Sequence, residues 1–283
     1  MLMPKSIFIL LQYLTPHYLF TQLMGRLAES QRFWLKNFLI KRFIKHYKIN
    51  LGEAIIETPD VYSSFNQFFI RQLKPNARPI CQEEHEIASP VDGIITQLGT
   101  IFNNQLLQAK NYYYNLENLL GGNQLLADNF HNGLYATFYL APHHYHRVHM
   151  PLNGTLEQTI YVPGKLFSVN PIMSESIPQL FTRNERLITI FNTHVGKMAV
   201  ILIGAMIVGN IQTVWLNHPF RGNKIVTLSS NPITLSKGAE LGYFKIGSTV
   251  ILLYEQNKIR WEPSLIAKTN VQLGQCVGIL NNT

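Results

Sequence analysis

The chain of 283 residues is poor in cysteine and in charge. Its two cysteines, Cys81 and Cys276, are too few for a disulfide framework and lack the spacing of a metal site, so a reducing compartment is expected. Charged residues make up 14% of the chain and hydrophobic residues 46%. That balance excludes a disordered chain, and the length suits one large domain, alone or with an appended segment.

The sequence also lacks a hydrophobic run long enough to cross a bilayer. The first apolar run, residues 7–11, stops near Pro16 and has no small-residue cleavage site after it, so a cleaved secretory signal is not expected. The most apolar stretch, residues 198–209, is interrupted by Gly204 and is predicted to be a buried strand. Internal repeats and phosphate-binding glycine loops of the Walker or dinucleotide type are absent from the sequence.

Acidic residues are absent between Glu29 and Glu53, although the chain as a whole carries a net charge of +8. Large apolar side chains alternate there with six basic residues: Arg32, Lys36, Lys41, Arg42, Lys45 and Lys48. The mixture is typical of a helix that lies on an anionic membrane surface. It fits equally well a helix packed on the protein's own core with a solvated basic face. Nucleic acid is not expected as a partner, because no nucleic-acid-binding motif accompanies the pattern.

The pattern changes after residue 50. Residues 57–80 are punctuated by prolines and predict extended chain and turns. Further on, short β-branched runs are separated by glycine-containing turns, and residues 112–120 suggest one or two helical turns before Gly121-Gly122. We therefore expect an α+β protein, with helices over residues 1–50 and a mainly antiparallel β domain over residues 51–283.

Two short stretches carry single residues suited to chemistry. Asp92 occupies an Asp-Gly turn directly before a short strand, where a structural aspartate is the ordinary interpretation. Gly247 and Ser248 interrupt an apolar run, which indicates a bulge or a close approach of the backbone. A serine hydroxyl next to an unhindered glycyl carbonyl can attack it if a base takes the proton, but Gly-Ser-Thr also occurs as a plain turn.

A third stretch is rich in histidine. Four of the ten histidines lie within seven residues: His143, His144, His146 and His149. Pro142 and Pro151 exclude a long helix here and predict a loop or tight turn beside a strand. Acid–base chemistry, a metal site and unrelated surface residues all fit this segment, although the other ligand types that would complete a metal site are not close by in the sequence.

The chain closely resembles the pyruvoyl-dependent phosphatidylserine decarboxylases of the bacterial, membrane-associated type. The resemblance depends on three motifs in this order: Ser-Pro-Val-Asp-Gly around Asp92, Tyr-His-Arg-Val-His-Met-Pro around His149, and Gly-Ser-Thr at Ser248. It includes the basic aromatic N-terminus, Asn184-Glu185-Arg186 and residues 237–242, and so spans essentially the whole chain.

The resemblance implies that the protein makes its own cofactor. Asp92, His149 and Ser248 would act like a serine-protease triad, with His149 taking the serine proton and Asp92 orienting the imidazole. The hydroxyl would attack the carbonyl of Gly247, and elimination and hydrolysis would leave a pyruvoyl group, a covalently held pyruvate, at position 248. Glycine suits the acyl position because it has no side chain to block attack. The products would be a β subunit of residues 1–247 and an α subunit of residues 248–283.

The resemblance further implies that the pyruvoyl ketone condenses with the amine of phosphatidylserine, so that carbon dioxide can leave and phosphatidylethanolamine forms. His146, the first histidine of His-Arg-Val-His, would be the proton donor. It also implies that the N-terminal helices of residues 1–50 are membrane-associated and that residues 51–283 form the catalytic domain. The protein would be a homodimer of cleaved αβ protomers, peripheral on the cytoplasmic face of the inner cell membrane. Apolar contacts are expected to contribute more than charge to membrane binding.

Two positions depart from the family pattern. Ile246 stands where the family usually has leucine, a volume-conserving exchange that should leave maturation intact. His143-His144 occupy a position where relatives commonly carry a basic and an acidic residue, which leaves the pKa of His146 undetermined from sequence.

Two other functions would account for parts of the sequence. A metal-dependent hydrolase built on the cluster from His143 to His149 would need stoichiometric metal and would remain one polypeptide. A non-enzymatic, basic membrane-binding module would also remain uncut, because its Gly-Ser-Thr would be only a turn.

Overall fold

The computed structural model describes residues 5–110, 112–206, 211–220, 222–245 and 248–281. Ile246 and Gly247, the residues before the expected cleavage site, lie outside these ranges. The described helices are α1 Lys5–Leu14, α2 His17–Ala28, α3 Phe33–Tyr47, α4 Phe65–Phe69, α5 Leu116–Leu119, α6 Gln124–Asp128, α7 Pro171–Ser174 and α8 Leu180–Arg183. Single 3-10 turns occupy Leu51–Glu53 and Pro59–Val61.

The described strands concentrate after residue 85. They are β1 Glu86–Ala88, β2 Gly93–Thr100, β3 Gln105–Ala109, β4 Tyr112–Asn115, β5 Leu134–Leu140, β6 Arg147–His149, β7 Gly154–Val162, β8 Arg186–Thr193, β9 Gly196–Ile203, β10 Ile211–Thr213, β11 Val226–Leu235, β12 Glu240–Phe244, β13 Ser248–Tyr254, β14 Ile259–Trp261, β15 Asn270–Val271 and β16 Cys276–Leu280.

Eight of these strands form one antiparallel sheet in the order β11-β7-β8-β9-β13-β5-β2-β15. Two three-stranded sheets, β1-β16-β14 and β10-β12-β6, and the pair β3-β4 complete the β structure. The prediction of N-terminal helices followed by a mainly antiparallel β protein is confirmed.

Strand β13 lies at the centre of the large sheet, between β9 and β5. All seven of its residues are buried, and a strand covered on both faces has a continuous apolar sequence instead of an alternating one. Residues 250–253 follow that rule, whereas Ser248 and Thr249 bring two hydroxyls into the buried start of the strand. The apolar stretch that begins at residue 198 is likewise buried, in β9, and its last residues, 207–209, lie outside the described ranges.

Helices α1 and α2 are fixed to the β structure by polar contacts. The side-chain oxygen Oε1 of Gln12 accepts a hydrogen bond from the backbone N–H of Ser168 at 3.0 Å. At the end of α2, Glu29 forms an ion pair of 2.6 Å with Lys245, which follows β12. The helical segment therefore contacts the part of the chain that leads toward Ser248.

The outer surface of α1 to α3 is strongly apolar. Its exposed large side chains are Ile7, Leu10, Leu11, Tyr13, Leu14, Tyr18, Leu19, Leu23, Leu27, Phe33, Trp34 and Phe38. None of the helices in the described residues is both long and apolar enough to cross a bilayer. Lys36 does not belong to the basic surface that the sequence predicts. It is buried, and its Nζ donates to Asn37 Oδ1 at 2.9 Å and to the carbonyl of Asp60 at 2.8 Å.

Two local predictions differ from the structure. The proline-punctuated connector contains the helix α4, because the hydroxyl of Ser64 caps it by accepting from the N–H of Gln67 at 3.2 Å. The three tyrosines at 112–114 lie in β4, paired with β3, so helix occupies only Leu116–Leu119. A following glycine pair with positive φ, Gly121 and Gly122, ends that helix as expected.

Candidate active site

Strand pairing brings the three motifs of the sequence together. The N–H of His149 donates to the carbonyl of Pro90 at 2.9 Å, which joins the histidine segment to the turn that holds Asp92. Strand β6, which ends at His149, pairs with β12, and the N–H of Phe244 at the end of β12 donates to the carbonyl of His146 at 3.0 Å. Ser248 comes four positions after Phe244 in the chain, so the serine lies within about 14 Å of that bond.

Asp92 is buried and fully engaged. Its carboxylate accepts from Nε and Nη2 of Arg78, with distances of 2.8 to 3.1 Å, and from the backbone N–H of Leu273 at 2.9 Å. The carboxylate raises the pKa of Arg78, since a negative charge favours the guanidinium. Arg78 also pairs with Glu53 at 3.0 Å. This ion-pair group fixes the Asp92 turn to the connector before β1.

His149 is held in one tautomer by the backbone. Its Nδ1 lies 2.9 Å from the carbonyl oxygen of Gly238, and because a carbonyl can only accept, Nδ1 carries the proton and Nε2 has the free lone pair. Burial lowers the pKa of His149 below its ordinary value. The imidazole is therefore neutral near pH 7, with Nε2 available as a base. Its contact with the hydroxyl of Tyr145 is long, at 3.5 Å.

The backbone at position 238, whose carbonyl holds His149, favours glycine for two reasons. Gly238 has φ +79, a region that favours glycine, and a Cβ there would lie 2.8 Å from Cγ1 of Ile80.

Ser248 is completely buried at the first position of β13, opposite Leu140 of β5. Within the described residues its Oγ has no hydrogen-bond partner, and the same is true of Oγ1 of Thr249. A buried hydroxyl without a partner is destabilising, and such groups concentrate at functional sites. The structure thus places an unpaired nucleophile at the position that the sequence singled out.

The expected triad is not closed by hydrogen bonds. In the described part of the chain, Asp92 is not bonded to His149, and His149 is not bonded to Ser248. The carbonyl of Gly238 orients the imidazole instead of Asp92. The Gly238 carbonyl and the charge of Glu240 partly oppose the lowering of the pKa of His149 by burial, and the charge of Asp92 adds a smaller effect in the same direction.

His146 is fully buried and stacked on Phe69, with ring centroids 4.1 Å apart. Neither ring nitrogen has a hydrogen-bond partner among the described residues. Burial, together with the nearby charge of Arg71, lowers the pKa of His146 to about 3, and the carbonyls of Pro142 and Ala141 oppose only part of that shift. The ring is therefore neutral and is enclosed by the protein.

A polar cleft of about 350 Å³ opens at the Asp92 turn and the start of the histidine segment. Its lining includes Arg71, Arg78, Asp92, His143, His144 and Tyr145. Tyr47, the last residue of α3, lines both this cleft and an apolar pocket of about 410 Å³ among the N-terminal helices. A polar cavity and an apolar cavity thus meet at one side chain, which suits a ligand with a charged head and a hydrophobic tail.

The four clustered histidines do not converge on one point. The rings of His143 and His144 contact each other, and Nδ1 of His144 accepts from the N–H of Ala141 at 3.0 Å. In the described residues, no three side chains of His, Cys, Asp or Glu are grouped so that they could bind a metal ion. The metal-dependent hydrolase has no support.

Three contributors to the site were not singled out from sequence as functional: Arg78, Tyr145 and Gly238. Arg78 lies within the connector of residues 57–80, for which the sequence predicts only extended chain and turns. Gly238 contributes through a main-chain carbonyl, which has no side-chain signature. Tyr145 lies inside the histidine motif, so its position next to His149 could have been suspected from the spacing alone.

Comparison with known proteins gives matches over nearly the whole chain. The family model described as phosphatidylserine decarboxylase matches residues 65–279, and a second model, described as PSD, matches residues 7–48. A protein of Azotobacter vinelandii named phosphatidylserine decarboxylase proenzyme is 46% identical over 282 residues, which cover 98% of this chain and 99% of the relative. Proteins of the same name from Pseudomonas putida (strain GB-1) and Bordetella pertussis are 47% and 44% identical, covering 96% and 98% of this chain and 97% and 96% of each relative.

Proposed function

Because the chain belongs to the phosphatidylserine decarboxylase family, we propose that it converts phosphatidylserine to phosphatidylethanolamine and carbon dioxide after cutting itself between Gly247 and Ser248. The observation that carries the proposal is that one region holds a nucleophile and a base: Ser248 has a buried Oγ without a hydrogen-bond partner among the described residues, and His149 is neutral, with its unprotonated Nε2 in only a long contact of 3.5 Å with the hydroxyl of Tyr145.

In the maturation step, Nε2 of His149 takes the proton of Ser248 as Oγ attacks the carbonyl carbon of Gly247. The new bond joins Oγ to that carbon, the peptide C–N bond breaks, and the proton passes to the freed amine. Removal of the Ser248 α-proton then expels the Gly247 carboxylate, and water releases ammonia and leaves a pyruvoyl group. Arg78 and Asp92 support this step by fixing the turn whose Pro90 carbonyl holds the backbone of His149.

The surroundings of Ser248 fit the pyruvoyl group, because Oγ leaves with the Gly247 carboxylate and Cβ becomes a methyl group, and among the described residues Oγ has no hydrogen-bond partner that this change would leave unsatisfied. When formed, that ketone supplies an electron sink for the bond to the departing carboxylate. The stack of His146 on Phe69 excludes water from one ring face, and we propose that a ring N–H of His146 delivers the proton to the substrate carbon. A negatively charged head group nearby would raise the pKa of His146 and favour that transfer.

The division of the chain suggests how a lipid reaches the site. Residues 1–50 would associate with an anionic membrane surface through the exposed apolar side chains of α1 to α3, and residues 51–283 would carry the chemistry. The polar cleft would take the head group, and the apolar pocket that shares Tyr47 would accept part of an acyl chain. We place the enzyme at the cytoplasmic face of the cell membrane, as a homodimer of cleaved protomers, on the strength of the family resemblance.

Intact-mass measurement of the purified protein under denaturing conditions tests the proposal. The wild type should give two fragments divided at position 248, with a carbonyl in place of the amine at the new end, and should release carbon dioxide from phosphatidylserine. Ser248→Ala should remain one chain and release none. A wild-type enzyme that is active but uncut would overturn the scheme.

A further inference from the structure

Arg71 is a buried cation that forms no ion pair with the residues that the structure describes. It is 6% exposed, and two of its guanidinium nitrogens, Nε and Nη1, are buried with no hydrogen-bond partner in the described part of the chain. The contact that it does make is with the ring of Phe68, whose centroid lies 5.5 Å from Cζ. A buried charge is destabilising unless it is paired, so this arrangement is one that a protein keeps for a purpose other than stability.

Arg71 lies where its N–H donors can reach a ligand in the polar cleft. It follows α4 directly, two residues after the Phe69 that stacks on His146, and it lines the polar cleft. Its charge also reaches His146, where it lowers the pKa of the imidazole. Arg71 is thus placed between the cleft that a ligand can enter and a histidine that is itself enclosed.

Two other arginines, Arg78 and Arg147, already form ion pairs with carboxylates. Arg78, which lines the same cleft, is bound by Asp92 and Glu53. Arg147 donates from Nη1 to both carboxylate oxygens of Glu240, at 2.7 and 2.8 Å. Arg71 differs from both because its donors remain available for an anion brought from outside.

We propose that Arg71 binds the phosphodiester of the lipid head group in the polar cleft, an inference that rests on the function proposed above. A guanidinium presents a planar fork of donors that matches two phosphate oxygens, and charge-assisted hydrogen bonds of this kind are strong in a site shielded from water.

The chemistry of decarboxylation favours the phosphate over the carboxylate as the partner of Arg71. The serine carboxylate loses its charge as carbon dioxide departs, so an ion pair to it would stabilise the ground state more than the transition state. The phosphodiester keeps its charge throughout, and a group that binds it holds substrate and product equally. Arg71 would therefore contribute to affinity more than to the chemical step.

The test compares mature wild type with Arg71→Gln, which removes the charge, and with Arg260→Gln as a matched control. Arg260 is exposed on β14 and does not line the cleft. Intact mass first establishes that each protein is cleaved. Binding is then measured with two water-soluble probes: glycerophosphoserine, which has a phosphodiester and a carboxylate, and glycerophosphoethanolamine, which lacks the carboxylate.

If Arg71 holds the phosphate, Arg71→Gln should weaken both probes by about 10- to 100-fold, raise KM for phosphatidylserine in mixed micelles by a similar factor and change kcat little. Arg260→Gln should bind both as wild type does. Weakening of glycerophosphoserine alone would assign Arg71 to the carboxylate and overturn the proposal, as would unchanged binding of both.

If Arg71→Gln fails to fold or to cut itself, Arg71→Lys decides the question. A lysine keeps the charge but loses the fork, so both probes should weaken at least about threefold, and unchanged affinities would contradict a phosphate site. Wild-type data separate this proposal from the one that precedes it. An uncut wild type that does not release carbon dioxide refutes the proposed function, whereas an active wild type with an Arg71→Gln variant of equal affinity refutes only the phosphate site.

Discussion

Arg78 binds the carboxylate of Asp92 through three hydrogen bonds, from Nε to both oxygens at 2.9 and 3.1 Å and from Nη2 to Oδ2 at 2.8 Å. The aspartate of the expected triad is therefore held by an arginine, and the carbonyl of Gly238 performs the orienting contact to His149. Two dependencies of self-cleavage follow, one on Arg78 and one on Gly238, and neither residue belongs to the core of the three motifs.

Arg78→Gln should slow self-cleavage about as much as Asp92→Asn does, because each substitution breaks the same ion pair. Both side chains are about one-tenth exposed, so each substitution should also reduce the free energy of unfolding, by about 3 kcal/mol for Asp92→Asn, which leaves Glu53 beside Arg78, and by up to about 5 kcal/mol for Arg78→Gln, which leaves both carboxylates unpaired. Pulse-chase labelling measures the cleavage rate, and chemical denaturation in a Ser248→Ala background measures the stability.

Lys41→Gln provides the control for this pair of variants, because Lys41 forms an exposed ion pair with Asp60. Such pairs contribute little, and the variant should mature at the wild-type rate. If Asp92→Asn cut itself slowly while Arg78→Gln cut itself at the wild-type rate, the arginine would be dispensable for self-cleavage.

Gly238→Ala should slow self-cleavage about tenfold. A side chain at φ +79 is strained by about 1 to 2 kcal/mol, and the new Cβ would displace Ile80, so the carbonyl that holds Nδ1 of His149 must shift. Gly25→Ala, in α2 where a Cβ meets nothing within 4 Å, should mature normally. If folded Gly238→Ala protein cut itself at the wild-type rate, the orientation of His149 by this carbonyl would not matter for self-cleavage.

The sequence predicts the reactive groups of the site better than it predicts the contacts that hold those groups in place. Asp92, the histidine segment and the buried strand that starts at Ser248 are all visible as local patterns, because turn residues and continuous apolar runs are properties of neighbouring positions. The contact of Asp92 with the N–H of Leu273 joins positions 181 residues apart, and the contact of His149 with Gly238 joins positions 89 apart. Neither leaves a trace in local spacing, and both use main-chain groups that every residue possesses.

The sequence does not predict helix α4, and the reason is different. The prolines of residues 57–80 dominate the local pattern, and they hide the Ser64-x-x-Gln67 spacing of a capped helix start. That helix positions Phe69 against His146, so recognising the cap would also have located one wall of the site.

Acid should destabilise the uncut Ser248→Ala protein, and His146→Phe should reduce the effect. Burial lowers the pKa of His146 to about 3, so between that value and about 6.5 the unfolded chain binds a proton that the folded chain does not. Stability therefore falls as pH drops through this window, by up to about 1.4 kcal/mol per pH unit for one such group. His144, His17 and His149, whose pKa values are also lowered, add to the slope.

Phenylalanine is the suitable replacement because it keeps the stack on Phe69 and has no proton to gain. Denaturation curves between pH 4 and 7 give the slope for each protein. Equal slopes for Ser248→Ala with and without His146→Phe would contradict the burial of an uncharged ring.

Membrane binding should depend more on apolar than on basic residues of the N-terminal helices. Leu14, Trp34 and Phe38 are each more than 60% exposed, and each should contribute about 1.5 to 3 kcal/mol when it enters the bilayer interface. A lysine or arginine near an anionic leaflet contributes about 1 kcal/mol, and that term is screened by salt. The triple variant Leu14→Ser, Trp34→Ser, Phe38→Ser should therefore lose most binding to phosphatidylglycerol–phosphatidylcholine vesicles, while Arg42→Gln, Lys45→Gln should lose a minor, salt-sensitive part.

Sedimentation with these vesicles at low and high salt distinguishes the two contributions. Because the three apolar side chains are exposed in the protein, their replacement should leave its thermal unfolding unchanged, which separates lost binding from lost folding. Raised salt should leave most wild-type protein with the vesicles, and detergent should release it. If salt alone moved all of the wild type into the supernatant, charge would be the main attraction and the apolar surface of α1 to α3 would need another partner.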